Sequence, residues 1–373
     1  MRRFFQNIDI VLLLSVVPLA LGGIVTMMSF TGDSKNALHQ GLWFVIGVGF
    51  ILLLSRINVR SLRESRYISI AFIASLFLLV FVLATHKING AKSWFSLGGF
   101  AFQPVDLVKL LVILMLAKYF SRRHVEIKNI KHIVVSSIYA LVPMFLIMLQ
   151  PDFGSAMIIG LLWFGIALVA GISKKHLFIL LGIVVVVFSC SWMFLFKPYQ
   201  KDRIINFVNP GHDIRKSGYN VYQSTIAVGS GGFLGKGLGY GTQSRLNYLP
   251  EYKTDFMFAA FTEEWGFIGG LIVVVSLIIF LWRILQHAEH AASNFETLFC
   301  VGYALLIIGH AIINIGMNIG IMPVTGVPLP FMSYGGSHIF AECVGLGIII
   351  SMSRYERSIH RDDLQKEFYG YNT

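Results

Sequence analysis

The chain has 373 residues, 55% of them hydrophobic and only 13% charged, with a formal net charge of +11 and a mean hydropathy of +0.71. An ordinary soluble domain carries about twice that share of charge, so these values exclude one and require an apolar solvent for much of the surface. Three cysteines, Cys190, Cys300 and Cys343, all fall in apolar stretches, which excludes a disulfide framework and reads as buried packing.

Apolar runs lie near 9–30, 38–55, 67–85, 107–119, 133–149, 153–171, 176–196, 257–282, 298–321 and 336–353. At about 20 residues per span they predict an all-α polytopic membrane protein of about ten transmembrane helices. One domain covers 1–373, with a large extracellular loop between helices 7 and 8 at about 197–255 and a short, polar, at best partly ordered tail at about 354–373. The first run is too long for a signal-peptide core and lacks a clear cleavage site, so it reads as a retained span. The fourth is the shortest, because Lys109 interrupts it.

Basic residues set the orientation. With ten spans, Arg2, Arg3, Arg56, Arg60, Arg63, Arg66, Lys118, Arg122, Arg123, Lys128, Lys131, Lys174, Lys175, Arg283, Arg354, Arg357, Arg361 and Lys366 share one face, and the short loops opposite hold only Lys35, Lys87 and Lys92. The positive-inside rule then places both termini in the cytoplasm. The long outward loop is itself basic, with Lys197, Lys201, Arg203, Arg215, Lys216, Lys236, Arg245 and Lys253 against Asp202, Asp213, Glu251 and Asp255. Long loops escape the charge rule, so this one reads either as a solvated loop or as a cradle for phosphate or diphosphate.

Within that loop the run GSGGFLGKGLGYG places glycines at 229, 231, 232, 235, 237, 239 and 241. Gly237 follows Lys236 where a P-loop needs Ser or Thr, and no in-register GxGxxG occurs, so no nucleotide is expected. The glycines indicate tight turns or a close backbone approach to a ligand, or else simple flexibility. The run leads to Asp255 at the mouth of the eighth span, a costly place to keep a carboxylate and a candidate catalytic position. Basic neighbours such as Lys253 are expected to lower its pKa.

Other polar groups cluster at span ends. Asp152 in Gln150-Pro151-Asp152 suits a helix N-cap as well as a site role. Asp106 and Lys109 stand at i,i+3 and read as a structural ion pair. His310, Asn314 and Asn318 form a stripe facing the bundle, where interhelical hydrogen bonding is the simple reading. The helix-breaking PVTGVPLPFMSYGGS at 323–337 must line a cavity or pack on protein. No His-based metal motif is found.

The strings NGAKSWFSLGG, LQPDFGSAMI, GSGGFLGKG, YKTDFMFAAFTEEWGFIGG and PVTGVPLPFMSYGGS, in this order across nearly the whole chain, resemble the SEDS family (RodA, FtsW, SpoVE). The compact length is more similar to the elongation member, RodA. The resemblance implies a bacterial cytoplasmic-membrane enzyme that polymerises lipid II, an undecaprenyl-diphosphate disaccharide-pentapeptide, into glycan beside a class B penicillin-binding protein. It contacts membrane lipids and no nucleic acid. Asp255 matches the family's essential aspartate and is expected to act as general base in an inverting single displacement. Lys201, Arg203 and Asp152 match motif positions; with Lys236, Gln223 and Ser224 they are the candidates for lipid II or diphosphate. Glu263, Glu264, Asp106 and Lys109 are expected to support. The family pattern usually has Ser-Glu where Val105-Asp106 stands, and often Arg at Lys201. A divalent cation, Mg2+ or Mn2+, is a candidate cofactor at the diphosphate. The rival readings are a flippase for the lipid-linked precursor, which predicts inverted repeats that are not seen, and a non-catalytic scaffold for the penicillin-binding protein.

Overall fold

The computed structural model describes residues 9–29, 34–57, 66–85, 93–97, 100–122, 130–196, 198–208, 218–246 and 248–369. Arg2, Arg3, Arg60, Arg63, Lys87, Lys92, Arg123, Lys128, Lys197, Asp213, Arg215 and Lys216, and part of NGAKSWFSLGG, lie outside the described residues.

All ten apolar runs are helical. They form α1 (Ile10–Ser29), α2 (Ser34–Leu54), α3 (Tyr67–Val82), α4 (Pro104–Ser121), α5 (Ile130–Leu149), α6 (Phe153–Ala170) and α7 (Lys174–Cys190). The loop after α7 carries α8 (Pro198–Val208), α9 (Tyr219–Ser230) and the single turn α10 (Thr242–Arg245); then come α11 (Met257–Glu289), α12 (Asn294–Asn318) and α13 (Gly336–Tyr369). Seven of these helices are long and apolar enough to cross a membrane, and α3 is a shorter apolar one. A small hairpin, β1 (Phe95–Leu97) with β2 (Phe100–Phe102), adds antiparallel pairing that an all-α reading does not anticipate.

Pro104 at its first turn preorganises α4, and most of its residues are buried, Lys109 among them, although α4 is not among the helices long and apolar enough to cross a membrane. Lys109 shortens the apolar run without shortening the helix. Much of the tail is helical, since α13 continues through Tyr369. Cys300 and Cys343 are buried as expected, but Cys190 is exposed at the end of α7.

The main core is an apolar cluster running through α4, α6, α11, α12 and α13, with a smaller one of Ala227, Leu249, Phe256 and Ala259 beside the start of α11. Two close helix contacts are set by glycine: a Cβ on Gly302 of α12 would meet Ile113 at 2.6 Å, and one on Gly345 of α13 would meet Tyr303 at 2.3 Å. Apolar side chains on the bundle's outside, such as Phe77, Phe145 and Ile278, stay exposed, as lipid contact requires. The segment 319–335 between α12 and α13 has no regular structure yet is largely buried beside the start of α11. Backbone of that kind must find side-chain partners, and those partners build the site.

Candidate active site

Asp255 sits in the turn that feeds α11. The N–H groups of Thr254, Asp255 and Phe256 all donate to the Glu251 carbonyl, at 3.2, 3.1 and 3.2 Å. Three carbonyls of the same turn, those of Lys253, Thr254 and Asp255, are held from the other side. Tyr334 N donates to the Lys253 carbonyl at 2.8 Å and the Ser333 hydroxyl to the Thr254 carbonyl at 2.6 Å. Asn314 and Asn318 both donate through Nδ2 to the Asp255 carbonyl, at 2.9 and 3.0 Å. With its own peptide groups clamped, the carboxylate of Asp255 has a defined direction. That direction is toward the irregular segment: Gly326, at φ +74°, passes so close that a Cβ there would lie 3.4 Å from Asp255 Oδ2.

Burial raises the pKa of Asp255 to about 6, and the negative charges of Glu251 and Asp152 act in the same direction. Arg203 and a hydrogen bond from the Thr254 side chain oppose the shift without cancelling it. The basic neighbour Arg203 lowers this pKa, in line with the expectation, but desolvation outweighs it and the net shift is upward. Lys253 instead sits 5.3 Å from the ring centre of Tyr252.

Asp152 and Arg203 thus belong to the electrostatic surroundings of Asp255. Asp152 is also the N-cap of α6, accepting from Ser155 N at 3.0 Å. Its second oxygen accepts from Gln103 Nε2 at 3.3 Å, joining the start of α4 to the start of α6. Lys201 lies on α8 with its ammonium 5.8 Å from the Trp192 ring centre. Gln223 is half-buried on α9.

Two substrate candidates, Ser224 and Lys236, have partners within the fold. Ser224 is fully buried and donates to the Asn318 carbonyl at 2.8 Å, so it fastens α9 to α12 and has no surface to offer a ligand. Lys236 donates to Glu263 Oε1 at 2.7 Å and to Thr242 Oγ1 at 2.9 Å, so its charge is already matched. Glu263 also accepts from Thr242 Oγ1 and Gln243 N, both at 3.1 Å. Glu264 accepts from Ser29 Oγ at 2.7 and 2.9 Å and from Gly239 N at 2.7 Å. The paired glutamates anchor the glycine run to α11. The close backbone approach inferred from the glycines is to α11 and not to a ligand: a Cβ on Gly231 would lie 2.1 Å from the Thr262 carbonyl oxygen, and one on Gly235 2.0 Å from that of Glu264.

Asp106 and Lys109 form the expected ion pair, 3.2 Å apart and both buried. They are part of a larger network. Lys109 Nζ is 3.3 Å from His310 Nε2, and His310 Nδ1 is 3.3 Å from the Pro328 carbonyl. Donation to that carbonyl fixes the tautomer that lets Nε2 accept from Lys109. His338 of α13 lies 3.5 Å from Asp106 and 2.9 Å from Glu342, and stacks on His310 at 5.0 Å. Glu342 accepts from Phe331 N at 2.9 Å, Gln40 donates to the Ser333 carbonyl at 2.9 Å, and Asn314 donates to the Val327 carbonyl at 2.8 Å.

Sequence reasoning missed Gln40, Ser333, His338 and Glu342. The available signal was a polar residue inside an otherwise apolar run, which applies to Gln40, His338 and Glu342. Among the described residues no group of three or more His, Cys, Asp or Glu could hold a metal ion.

The FtsW/RodA/SpoVE family model, described as cell cycle protein, matches residues 2–358. The chain is 31% identical over 356 residues to the peptidoglycan glycosyltransferase MrdB of Escherichia coli K12, covering 95% of this chain and 96% of that one. It is 35% identical over 315 residues to the stage V sporulation protein E of Bacillus subtilis, covering 83% and 85%. In three dimensions it resembles a chain of a solved peptidoglycan synthase complex at a TM-score of 0.81 and 29% identity, over 93% of this chain and 98% of that one. It also resembles the rod shape determining protein RodA of Thermus thermophilus at a TM-score of 0.70 and 28% identity, over 93% and 97%.

Proposed function

Because the chain belongs to the FtsW/RodA/SpoVE family, we infer that it is a peptidoglycan glycosyltransferase, an integral membrane protein of a bacterium. The substrate reading is lipid II, polymerised at the outer face of the cytoplasmic membrane during elongation beside a class B penicillin-binding protein. Both termini lie in the cytoplasm on this reading, which rests on the basic residues of the short loops.

The observation that carries the mechanism is a half-buried Asp255 whose desolvation raises its pKa to about 6 and whose backbone is fixed from both sides. A general base works best when its pKa is close to the working pH. In the reaction the acceptor's sugar hydroxyl attacks the donor's anomeric carbon as its proton passes to Asp255. The anomeric carbon–oxygen bond breaks, and its electron pair leaves with the lipid diphosphate. On this reading Arg203, whose charge acts on Asp255, and Lys201 on the same helix meet the charge that grows on that diphosphate. One base and one leaving group give single displacement with inversion. A Mg2+ or Mn2+ ion would enter with the diphosphate, and no step here depends on it.

The test is glycan synthesis from lipid II by the purified protein with its penicillin-binding partner, comparing wild type with Asp255→Asn, in moenomycin to silence classical glycosyltransferases. Chains from wild type and none from a folded, partner-binding variant are the expected outcome. Equal chains from both would remove Asp255 as the base. Transport of lipid II without synthesis would favour a flippase.

A further inference from the structure

Hydropathy assigns the glycine run at 229–241 to the aqueous loop, but its contacts place it lower. The two ends of α1 are pinned to α11: Asp9 binds Arg283 through Nε at 3.0 Å, and Ser29 binds Glu264 at 2.7 Å. The 20 residues of α1 rise about 30 Å, the thickness of a bilayer's hydrocarbon core. Arg283 and Glu264 on α11 thus mark its inner and outer boundaries. Lys236 N and Gly237 N donate to the carbonyls of Glu263 and Glu264, both at 3.0 Å, level with the outer boundary. The run then continues inward of it: Phe267 N donates to the Gly232 carbonyl at 2.9 Å and Ile268 N to the Phe233 carbonyl at 3.3 Å. Three to four residues beyond Glu264 is about 5 Å into the hydrocarbon. The non-helical Gly266, at φ +66°, opens the α11 backbone for these bonds, so the Gly232 and Phe233 carbonyls are met without water. Its outward side chains are apolar. Phe233 and Leu234 are 68% and 77% exposed, and Phe233 stacks on Phe267 of α11.

We propose that the segment Gly231–Gly241 is a membrane-inserted wedge, with Phe233 and Leu234 seated among lipid acyl chains of the outer leaflet just below the headgroups. Aromatic and aliphatic groups at this depth anchor a protein at the interface. The wedge is joined through Glu263 and Glu264 to the helix that follows Asp255, so it holds the site at a set height above the bilayer. Its depth does not depend on the reaction assigned to that site.

The experiment is nitroxide labelling of the full-length protein in phosphatidylethanolamine–phosphatidylglycerol vesicles, in a Cys190→Ser background. Leu234→Cys and Leu238→Cys are compared with Leu271→Cys on the lipid face of α11 and Asp202→Cys on the exposed face of α8. Collision with oxygen relative to a water-soluble nickel chelate is expected to be about tenfold greater at 234 than at 202, and close to that at 271. A ratio at 234 equal to that at 202 would put the tip in water and overturn the proposal. Low collision rates with both reagents would overturn it in favour of a covering protein segment.

Discussion

Asn318 holds Asp255 by its backbone: Nδ2 donates to the Asp255 carbonyl at 3.0 Å while Oδ1 accepts from Ala259 N at 2.9 Å. One side chain therefore fixes both the turn that carries the carboxylate and the first turn of α11. Asn318→Leu removes both bonds and lets the turn move without touching the carboxylate itself. The expected result is a loss of about 10–100-fold in the maximal polymerisation rate, with little change in the lipid II concentration giving half that rate. A rise in that concentration at unchanged maximal rate would assign Asn318 to substrate binding instead.

The pH dependence follows from the same carboxylate. As a base, Asp255 acts only when ionised, and its pKa is about 6. Polymerisation should be flat above that pH and fall about tenfold per unit below it. The sign for stability is opposite. A carboxyl whose folded pKa lies above its ordinary value of 3.8 favours folding at low pH, and this advantage is lost as pH rises through about 6. Asp255→Asn should thus raise the melting temperature at pH 8, by an effect of at most about 3 kcal/mol, and leave it nearly unchanged at pH 4. Equal melting temperatures at pH 8 would contradict a desolvated carboxylate.

Lys236 and Glu263 give a test between anchor and cradle. The pair is 2.7 Å apart, with Glu263 fully buried and Lys236 partly exposed. Lys236→Met leaves a buried carboxylate short of its cation and should destabilise the fold by about 2–3 kcal/mol, while Glu263→Gln with Lys236→Met should recover part of that loss. A double-mutant cycle on thermal unfolding measures the coupling. If Lys236 served the diphosphate, its loss would raise the lipid II requirement equally in both backgrounds.

What was legible in the sequence follows from the range of the interaction. The spans could be read because bilayer thickness imposes a run length on each of them. Asp152 as a cap and Asp106 with Lys109 could be read because each pair of partners lies three residues apart. Ser29 with Glu264 and Gln40 with Ser333 are separated by 235 and 293 positions, and nothing local records them. The glycines were noticed, but their spacing alone does not tell a ligand from the backbone of α11. The pKa of Asp255 was misjudged for a related reason: charge can be counted along a chain, whereas burial depends on elements that meet only in the fold.

The buried network around Asp106 predicts unequal effects from its two ends. Lys109→Met removes the 3.2 Å partner of Asp106, but His338 at 3.5 Å and the Ser337 hydroxyl at 3.4 Å still face that carboxylate. Asp106→Asn leaves the Lys109 ammonium buried with His310 as its remaining described contact. An unmatched charge in a protein interior costs about 3–5 kcal/mol, so Asp106→Asn should lower the melting temperature more than Lys109→Met. The double variant, with both charges gone, should lie above Asp106→Asn. Because His310 meets the Pro328 carbonyl and Glu342 meets Phe331 N, damage here also loosens the segment that faces Asp255. Asp106→Asn should therefore reduce polymerisation even at temperatures where the protein stays folded. Differential scanning fluorimetry in detergent, alongside glycan synthesis at two temperatures, measures both effects. Equal melting temperatures for the two single variants would show that His338 does not compensate Asp106.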